Sequence, residues 1–195
     1  MKKLLLVTAL ALSASAFAAS TTNKTPTNTT ANTNTTMANP SGGTATAPTD
    51  AEISNTLMTA NTEEMTMAKL AKTNAADPKV KEFAEMMLKD HAMNNDKAQA
   101  LATEEKINLK ETGKSMKMKF SAEDKVEKLK TMKGKEFDKE YMLTQVEMHR
   151  KVLTELDSNL IPNAKSEKLK TMLTETRGKV EKHLKHAESV QSSLK

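Results

Sequence analysis

Residues 78–102, PKVKEFAEMMLKDHAMNNDKAQALA, decide the fold. Asp77 and Pro78 open a helix, an acidic cap followed by a proline whose missing N–H would be unpaired there anyway. Val80, Phe83, Ala84, Met87, Ala98, Leu101 and Ala102 then recur at spacings of three and four, which lays one apolar stripe along that helix. His91 stands near the centre of the stripe, and Asn94 follows on the same face one turn on. An ionisable side chain inside an apolar stripe is costly unless it is paired, hydrogen-bonded or metal-bound. The stretch therefore predicts a packed amphipathic helix and, in its middle, a polar point in the packing.

The same pattern occurs three more times. Upstream, Thr49 and Glu52 form a capping box, and Ile53, Leu57, Ala60, Met67 and Ala71 make a stripe that contains Glu64 before the run stops at Asn74 to Pro78. Downstream, Asn108 to Phe120 reads as an irregular basic segment containing Gly113. Ser121 and Asp124 then suggest a cap for a short helix through Met132, which Gly134 ends. A third long helix is expected from about Lys135 to Ser158, with Met142, Val146, Val152, Leu153 and Leu156 around His149. Pro162 should end the next turn, and Asn163 or Ser166 should cap the last helix. That helix carries Leu169, Met172, Leu173, Thr176, Val180, Leu184, Ala187 and Val190, with His183 among them. No segment alternates apolar and polar residues with β-branched enrichment, so no sheet is expected. Four helices of roughly 24–30 residues specify an all-α four-helix bundle over residues 50–195, with a short extra helix between helices two and three. The connection carrying that extra helix can run back along the bundle, as a ferritin-like crossover does, or stay at one end; both routes are open.

The chain's first residues read as export machinery. Met1 to Lys3 is basic, Leu4 to Ala16 is apolar, and Ala16-Phe17-Ala18 is an A-x-A cleavage site, so residues 1–18 are expected to be a cleaved signal peptide. Residues 19–49 are a Thr/Asn-rich linker without one Leu, Ile or Val, unable to offset ordering entropy by burial. These features predict a periplasmic or secreted, envelope-associated protein with no transmembrane segment after signal removal. With no cysteine in the chain, disulfides, thiolate metal sites and thiol catalysis are excluded. The formal charge of +5 is nearly all lysine, with only Arg150 and Arg177 as arginines. Scarce arginines and few aromatics point away from nucleic acid; the lysines read as solvated helix faces weakly attracted to anionic surfaces. The 14 methionines form no M-x-x-M array and read as core filling.

Glu64, His91, His149 and His183 are the candidate metal ligands. By a rise of ~1.5 Å per residue, Glu64 and His91 lie level at ~16–20 Å from their shared turn, and His149 and His183 at ~15 and ~25 Å from theirs. All four should therefore meet near mid-bundle. Three imidazoles and a carboxylate suit Zn, Cu, Fe or Mn, with Asn94 or Gln145 orienting an imidazole's second nitrogen. The alternative is a metal-free Glu–His hydrogen-bond network that fixes helix register. His186, one turn past His183, is expected to face solvent; Asp90, about 100° around the helix from His91, reads as a surface acid, with orienting His91 or meeting a neighbouring helix as the alternatives. No catalytic triad, paired catalytic carboxylates or nucleotide-binding glycine loop can be argued.

The quoted residues resemble a known family. Glu64-Met65-Thr66-Met67-Ala68-Lys69-Leu70-Ala71, then Pro78 to His91, Phe137-Asp138-Lys139-Glu140-Tyr141 ahead of His149, and Val180-Glu181-Lys182-His183-Leu184 are similar to motifs of an exported bacterial ferritin-like "domain of unknown function" family, often labelled outer membrane proteins. The resemblance covers about Ala51 to Val190. It implies a ferritin-like bundle, export, and a recurrent acid and histidines at Glu64, His91, His149 and His183; it implies no established activity. Two positions depart from the family's pattern. Met148 stands where it has Asp, and Gly178 where it has a helix-bending proline. Ferritin-like di-iron enzymes use Glu-x-x-His pairs, whereas Leu88, Val146 and Val180 stand three before these histidines. The expectation is an exported helical protein of the cell envelope that holds one metal ion, and not an iron oxidase. A structural or stress-protective interaction module is the second reading, and a metal-dependent redox enzyme the third.

Overall fold

The computed structural model describes residues 47–194; the expected signal peptide and nearly all of the linker lie outside them. Among the described residues there are helices and no strand. The elements are α1 (Asp50–Asn74), α2 (Pro78–Glu104), α3 (Gly113–Lys130), α4 (Gly134–Glu155) and α5 (Glu167–Ser193). No described helix is long and apolar enough to cross a membrane.

Local chemistry sets the helix ends. Thr49 and Glu52 close the expected capping box, the Glu52 carboxylate accepting from the Thr49 N–H at 2.8 Å. Asp77 accepts from the Lys79 N–H at 2.8 Å ahead of Pro78. Ser166, not Asn163, caps α5 through the Leu169 N–H. Gly134 opens α4 at φ +63°, a left-handed backbone that a Cβ disfavours.

Two boundaries differ from the sequence expectation. The basic segment is helical from Gly113, because Thr112 and Ser115 cap each other reciprocally; Ser121 lies inside the helix. The extra helix is therefore 18 residues long. Past Glu155 the α4 helix does not stop but widens into a π turn, Leu156–Leu160, and a last turn, Ile161–Asn163. Pro162 has no N–H to give to the preceding turn, and a widened turn is one way to pass such a residue.

Two buried or half-buried acids tie the ends together. Asp138, at the start of α4, accepts from the N–H groups of Ala76 and Asp77 in the α1–α2 turn, at 3.0 and 2.8 Å. Asp50, at the start of α1, accepts from Lys165 and Ser166 ahead of α5, at 2.8 and 2.9 Å. So α4 begins where α1 ends, and α5 begins where α1 begins. Only an α3 running back along the bundle, parallel to α1, satisfies both ties. The crossover route is the one taken.

Four helices, α1, α2, α4 and α5, enclose the core, with α3 packed outside against α1 and α4. The core has two apolar blocks. One is built on Met67, Phe83, Met87, Phe137, Tyr141 and Met142, the other on Ile53, Leu57, Leu156, Leu160, Leu169 and Leu173. On every one of the four helices the residues between these blocks include buried polar ones: Asn61 and Glu64, His91 and Asn94, Gln145 and His149, Thr176 and His183.

Candidate metal centre

The three histidines of the polar layer face one another. Their ring centroids are 6.2 Å apart for His91 and His149, 5.5 Å for His91 and His183, and 5.6 Å for His149 and His183. One ring nitrogen of each lies within 4.8 Å of one from each of the others, and all three residues are buried. An ion bound ~2.0–2.1 Å from each nitrogen would draw the rings together by roughly 1–1.5 Å at most.

Each ring is oriented from behind. His91 Nδ1 donates to Asn61 Oδ1 at 2.9 Å, because the Asn61 amide nitrogen is already committed to Asn95 Oδ1. His149 Nδ1 donates to the Gln145 backbone carbonyl at 2.8 Å. His183 Nε2 donates to the Asp90 carboxylate at 2.9 Å. A neutral imidazole that donates from one nitrogen carries a lone pair on the other. The remaining nitrogens are His91 Nε2, His149 Nε2 and His183 Nδ1, and all three are buried without a hydrogen-bond partner. Three separate outer contacts thus leave three lone pairs in one small interior.

Protonation of His91 and His183 is disfavoured. Burial, with the neighbouring His149 and His183, pushes His91 down to about 3. Burial also lowers His183, against the pull of Asp90. A bound cation would satisfy all three nitrogens together.

Glu64 stands one step back from this centre. Its carboxylate accepts from the Gln145 side-chain amide at 2.7 Å and lies 3.8 Å from His149 Nδ1, the ring's outward face. It is outside the group of converging nitrogens. Burial raises its pKa, opposed by His149 and the Gln145 hydrogen bond. Its place suits charge compensation beside His149.

Asp90 takes the alternative of meeting a neighbouring helix rather than that of a surface acid: about 100° around α2 from His91, it reaches α5 and holds His183. His186 is half-buried rather than solvent-facing, its ring 5.4 Å from that of Phe83. Gln145 orients His149 by its carbonyl and Glu64 by its amide. Asn94 instead accepts from Thr176 at 3.1 Å and reaches Asn61. Asn61 escaped the sequence reading although it carried the same signal as Glu64, a polar residue three before it inside the α1 stripe. Gly178 interrupts nothing, since α5 is continuous across it.

Comparison with known proteins agrees on the fold. The family described as "Domain of unknown function (DUF4142)" matches residues 35–190. A DUF305 protein from Streptomyces coelicolor, assigned as secreted, superposes with a TM-score of 0.64 at 13% identity, over 74% of this chain and 92% of that one. CopM in its Cu(II)-bound form superposes with a TM-score of 0.59 at 16% identity, over 75% of this chain and 98% of that one. At such identities the likeness is one of fold. No curated protein matches the sequence.

Proposed function

We propose a function for this chain, which belongs to the DUF4142 family: it is an exported cell-envelope protein that holds one divalent transition-metal ion in its bundle interior. The ligands are His91 Nε2, His149 Nε2 and His183 Nδ1. The observation that carries the reading is the set of three buried, partnerless nitrogens, each with its tautomer fixed by a different outer contact. A ligating histidine is commonly oriented by its other ring nitrogen in this way.

Three neutral imidazoles with no thiolate suit Cu(II) or Zn(II), and Cu(II) stands higher in the usual affinity order. A fold shared with CopM, whose structure is of the Cu(II)-bound form, supports testing copper first. Asp90 and Glu64 place two carboxyl groups around the centre, one against His183 and one behind His149. Beside the rings, a cavity of about 20 Å³ lined by His91, His149 and Glu64 has room for one water-sized fourth ligand. The ion supplies a positive charge and an open coordination position; the protein supplies orientation and exclusion of solvent. Export rests on the basic-apolar start of the chain and its A-x-A site.

The test is a metal titration of chelator-treated protein, read by calorimetry and by metal analysis after gel filtration. One equivalent of Cu(II) or Zn(II) per chain is expected, with binding lost in His91→Ala/His149→Ala. Wild-type protein that takes up neither ion, or a double variant that binds as tightly, would overturn the reading.

A further inference from the structure

A second concavity lies between the crossover helix and the bundle; Leu57, Ala60 and Val152 separate it from the small cavity beside the rings, lining both. It is a groove of about 380 Å³ running between α1, α3 and α4, within the ~300–1,000 Å³ range of ligand pockets. Leu57, Ala60, Ala122, Met148, Val152 and Leu160 supply apolar surface along it. Its α3 wall extends from Lys114 to Lys125, ~16 Å at helical rise. The groove exists because the first half of α3 contributes almost nothing to the core: Ser115 is its only buried residue before Ala122.

The charges on the rim are ordered. Lys114 pairs with Glu155 at one end. At the other end Lys125 faces Glu63, whose pKa it lowers against burial. Between them, Lys117 of α3 and Lys151 of α4 line the same groove, are exposed, and have no ion-pair partner among the described residues. An apolar trough with two unpaired cations near its Lys114–Glu155 end is complementary to a molecule with an alkyl chain and one anionic head.

We propose that this groove binds a single-chain fatty-acid carboxylate, its head between Lys117 and Lys151 and its chain along the apolar floor. The proposal is independent of the metal reading. The head group gains two ammonium partners at a half-solvated rim, and the chain leaves water. Each methylene buried is worth about fourfold in affinity, so affinity rises with chain length until the trough is full.

Calorimetry and native mass spectrometry with the full chain test it, using dodecanoate as probe. One dodecanoate per chain is expected, binding at least tenfold more tightly than dodecanol or dodecyltrimethylammonium and more tightly than decanoate. Lys117→Glu/Lys151→Glu should weaken dodecanoate at least tenfold and spare dodecanol. Ser121→Trp, which fills the trough from its exposed α3 wall and leaves both lysines, should remove both ligands. Unchanged melting temperature and helical circular dichroism establish that each variant is folded. Equal affinity for the three head groups, or indifference to the lysine reversal, would overturn the proposal by reducing the binding to apolar adsorption. So would failure of wild-type protein to bind dodecanoate at submillimolar concentration.

Discussion

Around His149 the four long helices leave side chains little choice: the ring is fully enclosed, its Nδ1 is held by a backbone carbonyl, and Phe83 stands edge-on 6.5 Å away. Along the first half of α3 the opposite holds. Met116 and Phe120 point outward, 44% and 66% exposed, over a wall with little beneath it. Both regions are helical. What separates them is how many neighbours fix each side chain, and that decides the kind of site each can offer. Dense packing holds three imidazoles at a set separation, which a metal ion demands. Loose packing leaves a trough that tolerates a flexible chain.

The contrast is broken or sharpened most strongly by paired aromatic truncations. Phe83→Ala should cost about 3–5 kcal/mol in urea unfolding, since the ring is wholly buried and its site cannot collapse freely. Phe120→Ala should change stability by less than about 0.5 kcal/mol. Similar losses at the two positions would contradict the difference in packing.

Next in size is the support behind the rings. Asp90→Ala leaves His183 Nε2 without its acceptor, and metal affinity should fall about 10–100-fold in a competition titration with the fold intact. Lys114→Ala, which opens an exposed ion pair on the α3 side, should leave metal affinity unchanged.

Acid sensitivity separates the regions again. In metal-free protein His91 is held at about 3 against an ordinary 6.5, so between those values the unfolded chain binds the extra proton. Its contribution to stability is present above about pH 6.5 and is lost as pH falls toward 3, at up to ~1.4 kcal/mol per pH unit. Glu63, at the groove, is raised to about 7 by burial and Glu64. The folded state holds that proton longer, so its contribution is present at low pH and is lost as pH rises from about 4.5 to 7. Thermal melts across pH 4–8 should show a flatter acid limb in His91→Asn and a flatter rise-side loss in Glu63→Gln. Superimposable profiles would remove both assignments.

The smallest effect belongs to the α3 cap. Thr112→Ala should cost about 1 kcal/mol, read as faster amide exchange confined to the first turn of α3. Exchange that quickens equally in α4 would mean that the crossover is integral to the bundle.

The parts of this architecture that were legible in the sequence are those set by repeated spacing. Val80, Phe83 and Met87 on one stripe, and the equivalents around Glu64, His149 and His183, are enough to define four helices and the level of the polar layer. The crossover was harder to read because its start depends on a two-residue exchange between Thr112 and Ser115, embedded in lysines that mask any stripe. The histidine tautomers were out of reach for a different reason. Which nitrogen faces inward depends on contacts between helices, Asn61 to His91 across α1 and α2 and Asp90 to His183 across α2 and α5. Spacing along one helix carries no information about them. Glu64 shows the same limit: its stripe position placed it in the layer, and only the fold puts it behind His149 rather than among the converging nitrogens.

The most direct measurement is anomalous diffraction from crystals of the chain loaded with one equivalent of Cu(II) or Zn(II). A single peak is expected about 2.0–2.2 Å from His91 Nε2, His149 Nε2 and His183 Nδ1, with Glu64 outside bonding distance. A peak ligated by Glu64 in place of one of these nitrogens, or lying at a surface site while the three rings stay apart, would contradict the account.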